Sequence, residues 1–91
     1  MELGLTNRIA VVTGGSEGIG KAAAISLARE GANVTILART QSKLDSALQE
    51  ISSTAMGKVE SISCDVTDQD AVNKTFDHIL QKWGKIDILV N

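Results

Sequence analysis

No tyrosine and no proline occur in this sequence, cysteine occurs once, and the aromatic residues stop at Phe76 and Trp83. Without tyrosine the chain has no phenol with which to give or take a proton. A single cysteine, Cys64, excludes an internal disulfide framework and any multi-cysteine zinc site. The apolar runs are short, and none approaches the roughly 18 residues of a membrane span. The start, Met1-Glu2-Leu3-Gly4, has neither the basic flank nor the apolar stretch of a signal peptide. Excess charge is also lacking. A formal net charge of −2 argues against a module that binds nucleic acid by neutralising phosphates. A soluble, cytoplasmic protein is the expectation.

The 91 residues are 43% hydrophobic and 22% charged, which suits one small domain with a modest core. No internal repeat, low-complexity tract or Gly/Ser-rich linker divides them. Two periodicities alternate instead. Arg8–Thr13 (RIAVVT) is a β-branched apolar run of the kind that forms a strand buried on both faces. From Ser16 onward Ile19, Ala23 and Leu27 recur at helical spacing, and Gly31 stands where a helix C-terminal glycine belongs. Asn33–Ala38 (NVTILA) predicts a second strand. Leu44, Leu48 and Ile51 stripe a second helix that fades toward Gly57. Lys58–Cys64 predicts a third strand, with Val59 and Ile62 as its anchors. Thr67 and Asp70 have the spacing of a capping box. Behind them Val72, Phe76, Ile79, Leu80 and Trp83 mark an amphipathic helix stopped by Gly84, and Ile86–Val90 predicts a fourth strand. The pattern is βαβαβαβ, and right-handed crossovers turn it into an open parallel α/β sheet wrapped by helices.

Chemistry concentrates where the first strand meets the first helix, at Thr13-Gly14-Gly15-Ser16-Glu17-Gly18-Ile19-Gly20. Glycines accept positive φ and let a ligand touch the backbone. The free N–H groups and dipole at a helix start favour a phosphate or pyrophosphate. The spacing is G-x-x-x-G-x-G rather than the general dinucleotide fingerprint G-x-G-x-x-G. Gly15–Lys21 also matches most of a P-loop, but the position that must hold magnesium through a hydroxyl is Ala22. A response-regulator-like module would need clustered carboxylates after the first strand, where glycines stand.

These residues resemble the N-terminal part of a short-chain dehydrogenase/reductase. That family's T-G-x-x-x-G-x-G motif is matched by Thr13, Gly14, Gly18 and Gly20. Asp65, in Cys64-Asp65-Val66, matches the acid that meets the adenine in that family, and Asp87–Asn91 resembles the run into its N-N-A-G motif, of which only Asn91 is present. The resemblance spans essentially the whole chain. It implies a Rossmann-type doubly wound sheet, with residues 1–91 supplying its first four strands as the N-terminal part of a dinucleotide-binding domain. It implies further that Gly14, Ser16, Gly18, Ile19 and Gly20 cradle the cofactor phosphates, that Asp65 and Val66 meet the adenine, and that Asn91 steadies the sheet end near the ribose.

At the end of the second strand an acid would hold the ribose 2′-OH of NAD, but this chain has Ala38 and then Arg39. A guanidinium pairs with a phosphate, so NADP(H) is the expected cofactor. Some relatives add a basic residue inside the glycine loop, where Glu17 stands here. The plainer readings are a solvent-facing arginine at Arg39, a turn or cap at Asp65 and a helix-dipole partner at Glu17. Cys64 reads as a small packed hydrophobe and Phe76 and Trp83 as core. His78 reads as solvent-facing, with no second histidine to make a metal site.

In this family a tyrosine near a lysine handles the proton of hydride transfer, and a serine positions the substrate oxygen. With no tyrosine, the expectation is a cofactor-binding portion of an oxidoreductase that reduces a carbonyl or oxidises an alcohol, with no catalytic residue in these 91 positions. The alternative is a complete non-catalytic nucleotide-binding or dimerising module. The resemblance also places the fourth strand beside the first, where it would form an exposed apolar edge. The third helix would lie alone on its face, so a monomer should be marginal and a homo-oligomer is expected.

Overall fold

The computed structural model describes residues 4–91; Met1–Leu3, part of the start examined for a signal segment, lie outside the described residues. Four strands and three helices alternate: β1 (Ile9–Thr13), α1 (Gly18–Arg29), β2 (Asn33–Ala38), α2 (Gln41–Ser52), β3 (Val59–Ser63), α3 (Gln69–Trp83) and β4 (Ile88–Val90). The strands form one parallel sheet in the order β3-β2-β1-β4, with Ala10 opposite both Val34 and Ile88, and Val34 opposite Val59. This is the expected α/β, Rossmann-type doubly wound arrangement. Among the described residues no helix is long and apolar enough to cross a membrane.

The sheet's two faces sort by residue parity, because successive strand side chains point to opposite sides. Ala10, Val12, Val34 and Ile36 face α1 and α2, whose Ala24, Ala28, Leu44, Ala47 and Ile51 complete that core. Ile9, Val11 and Leu37 face α3 and pack with Cys64 and Ile79. Both faces of β1 are covered, so its sequence reads as a continuous apolar run without alternation. Phe76 and Trp83 are partly buried at the margin of the α3-side core, and Cys64 is buried within it.

Several local expectations are corrected. Ile19 is 89% exposed. The core face of α1 is set by Ala24 and Ala28, and Ile19 lies about 140° around the helix from Ala24. In α3 the buried pair is Thr75 and Ile79; Leu80, about 100° further round, is 44% exposed. Leu48 is only half-buried, and Ala47 takes the core position beside Leu44. The N-cap of α3 is Asp68, whose carboxylate accepts from the N–H groups of Asp70 and Ala71 at 3.1 and 3.2 Å. Thr67 bonds to Asp65 instead.

Strand β4 begins at Ile88 rather than Ile86 because Asp87 is used otherwise. Its N–H donates to the carbonyl of Ile9 and its carboxylate accepts the Ile9 N–H, each at 2.8 Å. As expected, among the described residues β4 is a sheet edge, with Leu89 51% exposed, and α3 is the one helix on its face.

Two carboxylates tie distant segments. Glu60 on β3 accepts from the buried Thr35 hydroxyl of β2 at 2.9 Å and from Lys82 of α3 at 2.6 Å, while Lys82 also lies 5.3 Å over the Trp83 ring. Burial alone would raise the Glu60 carboxyl, but the bonds from Lys82 and Thr35 outweigh it and hold the group below its usual 4.5. The Ile9 N–H bond, aided by Lys85 and Arg8, likewise holds Asp87 below 3.8. A carboxylate lowered in the folded state contributes stability that is present above its unfolded pKa and lost as pH falls through its folded pKa. Denaturant midpoints should therefore fall as pH drops below about 4. Glu60→Gln should shallow that fall, and a variant with the same pH slope as the parent would refute the role given to Glu60.

Candidate functional site

The ends of all four strands open toward one side. There lie the loop at 14–17 after β1, Arg39 and Thr40 after β2, the loop at 64–68 after β3, and Asn91 after β4. Beside β1 the strand order reverses, with β2 on one side and β4 on the other. Such a switch point leaves a crevice at the carboxyl ends of the strands, where open α/β sheets take their ligands.

The glycine turn is anchored on the neighbouring strand. The N–H groups of Gly14 and Gly15 both donate to the carbonyl of Leu37, at 2.8 and 3.4 Å. Gly14 then turns at φ +70° and Gly18 at φ +57°, conformations that would strain a residue bearing a Cβ. A Cβ on Gly20 would run into the carbonyl of Gly14, so the first turn of α1 packs directly on the loop backbone. Among the described residues, the backbone N–H groups of residues 16–20 donate to no protein acceptor. The first turn of α1 carries no acidic side chain, and Glu17, at the N-cap, makes no capping bond. The turn is a rigid backbone cradle with open donors, which fits a phosphate-bearing cofactor. Ser16 is half-buried at its rim, while Ile19 projects from it.

The remaining sequence-predicted positions stand around this crevice in two groups. Arg39, with its side chain 75% exposed, faces Asp65 at 3.9 Å, and the β3 side chain of Ser63 donates to the Arg39 carbonyl at 3.0 Å. Asp65 accepts from both the hydroxyl and the N–H of Thr67, at 2.6 and 2.9 Å, which gives it the turn role noted as its plainer reading. The Thr67 bonds, led by the hydroxyl and joined by Arg39, hold its carboxyl below 3.8. Val66 is 54% exposed beside it. On the far side of β1, Asn91 meets the glycine turn: the Thr13 hydroxyl donates toward Val90 O at 3.2 Å and Asn91 Oδ1 at 3.3 Å. His78 lies exposed on α3, away from these loops.

Two features escaped the sequence reading. Gly15, which has no role among the cofactor-binding positions expected there, is buried; a Cβ on it would sit 2.6 Å from Ile36 Cγ2. Its place beside Gly14 hinted at tightness, but the packing partner lies 21 positions away. The second is Lys43 in the first turn of α2. It reaches across to Glu17 at 2.6 Å over a groove of about 410 Å³ lined by Ser16, Glu17, Ser42, Lys43 and Ser46. The Lys43 bond and charge hold the Glu17 carboxyl below 4.5. Glu17 thus pairs with α2 across the groove and makes no bond to the first turn of α1. No sequence motif links residues 17 and 43.

Comparison with known proteins agrees with this geometry. The family profile described as short chain dehydrogenase matches residues 8–91. A probable 2,4-dienoyl-CoA reductase of Caenorhabditis elegans is 47% identical over 96% of this chain and 28% of its own length. A 3-oxoacyl-(acyl-carrier-protein) reductase of Thermotoga maritima is 37% identical over 96% of this chain and 35% of its own. Among solved structures, the L-sorbose reductase of Gluconobacter frateurii, complexed with NADPH and L-sorbose, superposes with a TM-score of 0.90 at 33% identity, over all of this chain and 35% of that one. An NAD⁺-bound xylitol dehydrogenase superposes at 0.89 and 32% identity, over 94% of this chain and 33% of that one. The chain spans about a third of the length of most of these relatives. With fold, glycine turn and sequence in agreement, this chain belongs to the short-chain dehydrogenase family.

Proposed function

We propose that these residues are the cofactor-binding portion of an NADP(H)-dependent oxidoreductase that reduces a small carbonyl or oxidises an alcohol. The observation that carries this reading is the convergence of an open-donor glycine cradle and an exposed cation, Arg39, held only by a long 3.9 Å contact to Asp65, on one crevice. No acid stands at the end of β2 to hold a ribose 2′-OH, since Ala38 is followed by Arg39.

The free N–H groups of Ser16, Gly18, Ile19 and Gly20, on the turn that Gly14 opens, would hold the pyrophosphate, and the projecting Ile19 would flank it. Arg39 would take the 2′-phosphate, Asp65 and Val66 the adenine, and Asn91 would brace the ribose side through Thr13. When bound, the nicotinamide supplies or accepts the hydride. This chain binds and orients it. With no tyrosine among the 91 residues, the proton donor and substrate contacts are assigned to the part of the relatives' length that these residues do not span. Self-association is part of the same proposal.

Titration of the natural-length protein with NADPH and NADH tests the assignment. NADPH should bind ahead of NADH by about ten-fold or more, the effect of one charge-assisted contact. Arg39→Ala should erase that preference and leave NADH binding in place; equal affinities in the parent would refute it. Gly20→Ala should abolish tight binding of both dinucleotides by forcing the loop off α1, while lowering stability by about 1–3 kcal/mol. Undiminished binding by that variant would remove the cradle from the reading.

A further inference from the structure

Glu17 occupies the N-cap of α1, and its carboxylate makes no bond to the free N–H groups of the first turn. Its side chain instead crosses the groove to Lys43 Nζ at 2.6 Å, with the two side chains 63% and 58% exposed. The anion cradle of the glycine turn is therefore left open, and a lysine is held over the adjoining groove by a bond that a competing anion can replace. The other cation near Glu17, Lys21, is engaged by Glu50 of α2 at 2.9 Å. Arg39 is held toward Asp65 at 3.9 Å and does not line the groove. Lys43 is thus the cation that lines the groove, and the hydroxyl-bearing Ser16, Ser42 and Ser46 line it too. A phosphate dianion is a stronger partner for an exposed ammonium than a single carboxylate, and a nearby carboxylate opposes its entry.

We propose that Lys43 is a second determinant of NADP(H) preference and Glu17 its brake, the ion pair spanning the groove in the free chain and yielding Lys43 to the 2′-phosphate on binding. This rests on the NADP(H) reading above and adds to it two residues that work in opposite directions. Arg39 and Lys43 would then grip the phosphate from the β2 end and the α2 wall, while Glu17 lowers the affinity that the two cations would otherwise reach.

The test measures NADPH and NADH dissociation constants by cofactor fluorescence, on the natural-length protein and its Lys43→Gln, Lys43→Arg and Glu17→Gln variants. Lys43→Gln should weaken NADPH about ten-fold and move NADH less than about two-fold, with Lys43→Arg close to the parent. Glu17→Gln should tighten NADPH about three-fold or more without tightening NADH. If Lys43→Gln weakens both cofactors equally, the pair only shapes the glycine loop and the proposal is overturned. If it changes neither while Arg39→Ala still erases the NADPH preference, the proposal falls and the NADP(H) reading stands. A parent protein that binds neither dinucleotide overturns both.

Discussion

The carbonyl of Leu37 is the point on which the site depends. It accepts the N–H of Gly14 and, at longer range, that of Gly15, so the β1–β2 ladder is prolonged just past the strand before the chain turns away. Leu37 is fully buried, and its side chain is locked in the α3-side core with Val11 and Ile79. The opposite face contributes equally, because Gly15 rests on Ile36, which belongs to the α1–α2 core. Two adjacent residues of β2, one pointing to each face, therefore fix a loop that neither of them belongs to. A backbone cradle held from both cores loses little further freedom when an anion docks, and that pre-organisation favours binding.

The charges divide along the same axis. At the amino ends of the strands, Asp87 gathers the Ile9 N–H, Arg8 and Lys85, a cluster that registers β4 against β1. At the carboxyl ends the pairs are Glu17–Lys43 and Arg39–Asp65, and they are more exposed. Exposed pairs contribute little to stability. What they set is the local potential over the crevice, and potentials near a phosphate site bear on recognition more than on folding.

The sequence made the element order legible, since strands buried on both faces read as apolar runs and helices as 3.6-residue stripes. The glycine spacing likewise marked the turn without any knowledge of its partners. The failures share a cause. Ile19 reads as a core residue by its hydrophobicity, yet α1 approaches the sheet through Ala24 and Ala28, and small residues at a close contact carry a weaker apolar signal than a projecting isoleucine. Asp87 lies within an apolar run and passes for strand, although its carboxylate closes a bond to a residue 78 positions earlier. Thr67 and Asp68 compete for one cap, and the choice is made by Asp65, which captures the Thr67 hydroxyl. Each outcome is decided by a partner that periodicity cannot see.

The two sides of the switch point are unequally built, and the inequality bears on what the crevice can do. On the β2 side the site rests on β1, β2, α1 and α2, with packed cores above and below the sheet. On the β4 side it rests on a strand of three residues, joined to the glycine turn through the Thr13 hydroxyl. A dinucleotide laid across such a switch point would have its adenosine half on the firm side and its nicotinamide half toward β4. Under the proposed reading, binding affinity and 2′-phosphate selection would be properties of the residues that fold most tightly here. Placement of the reactive ring would depend on what packs against β4, so selection of cofactor and delivery of hydride would be separable by element as well as by residue.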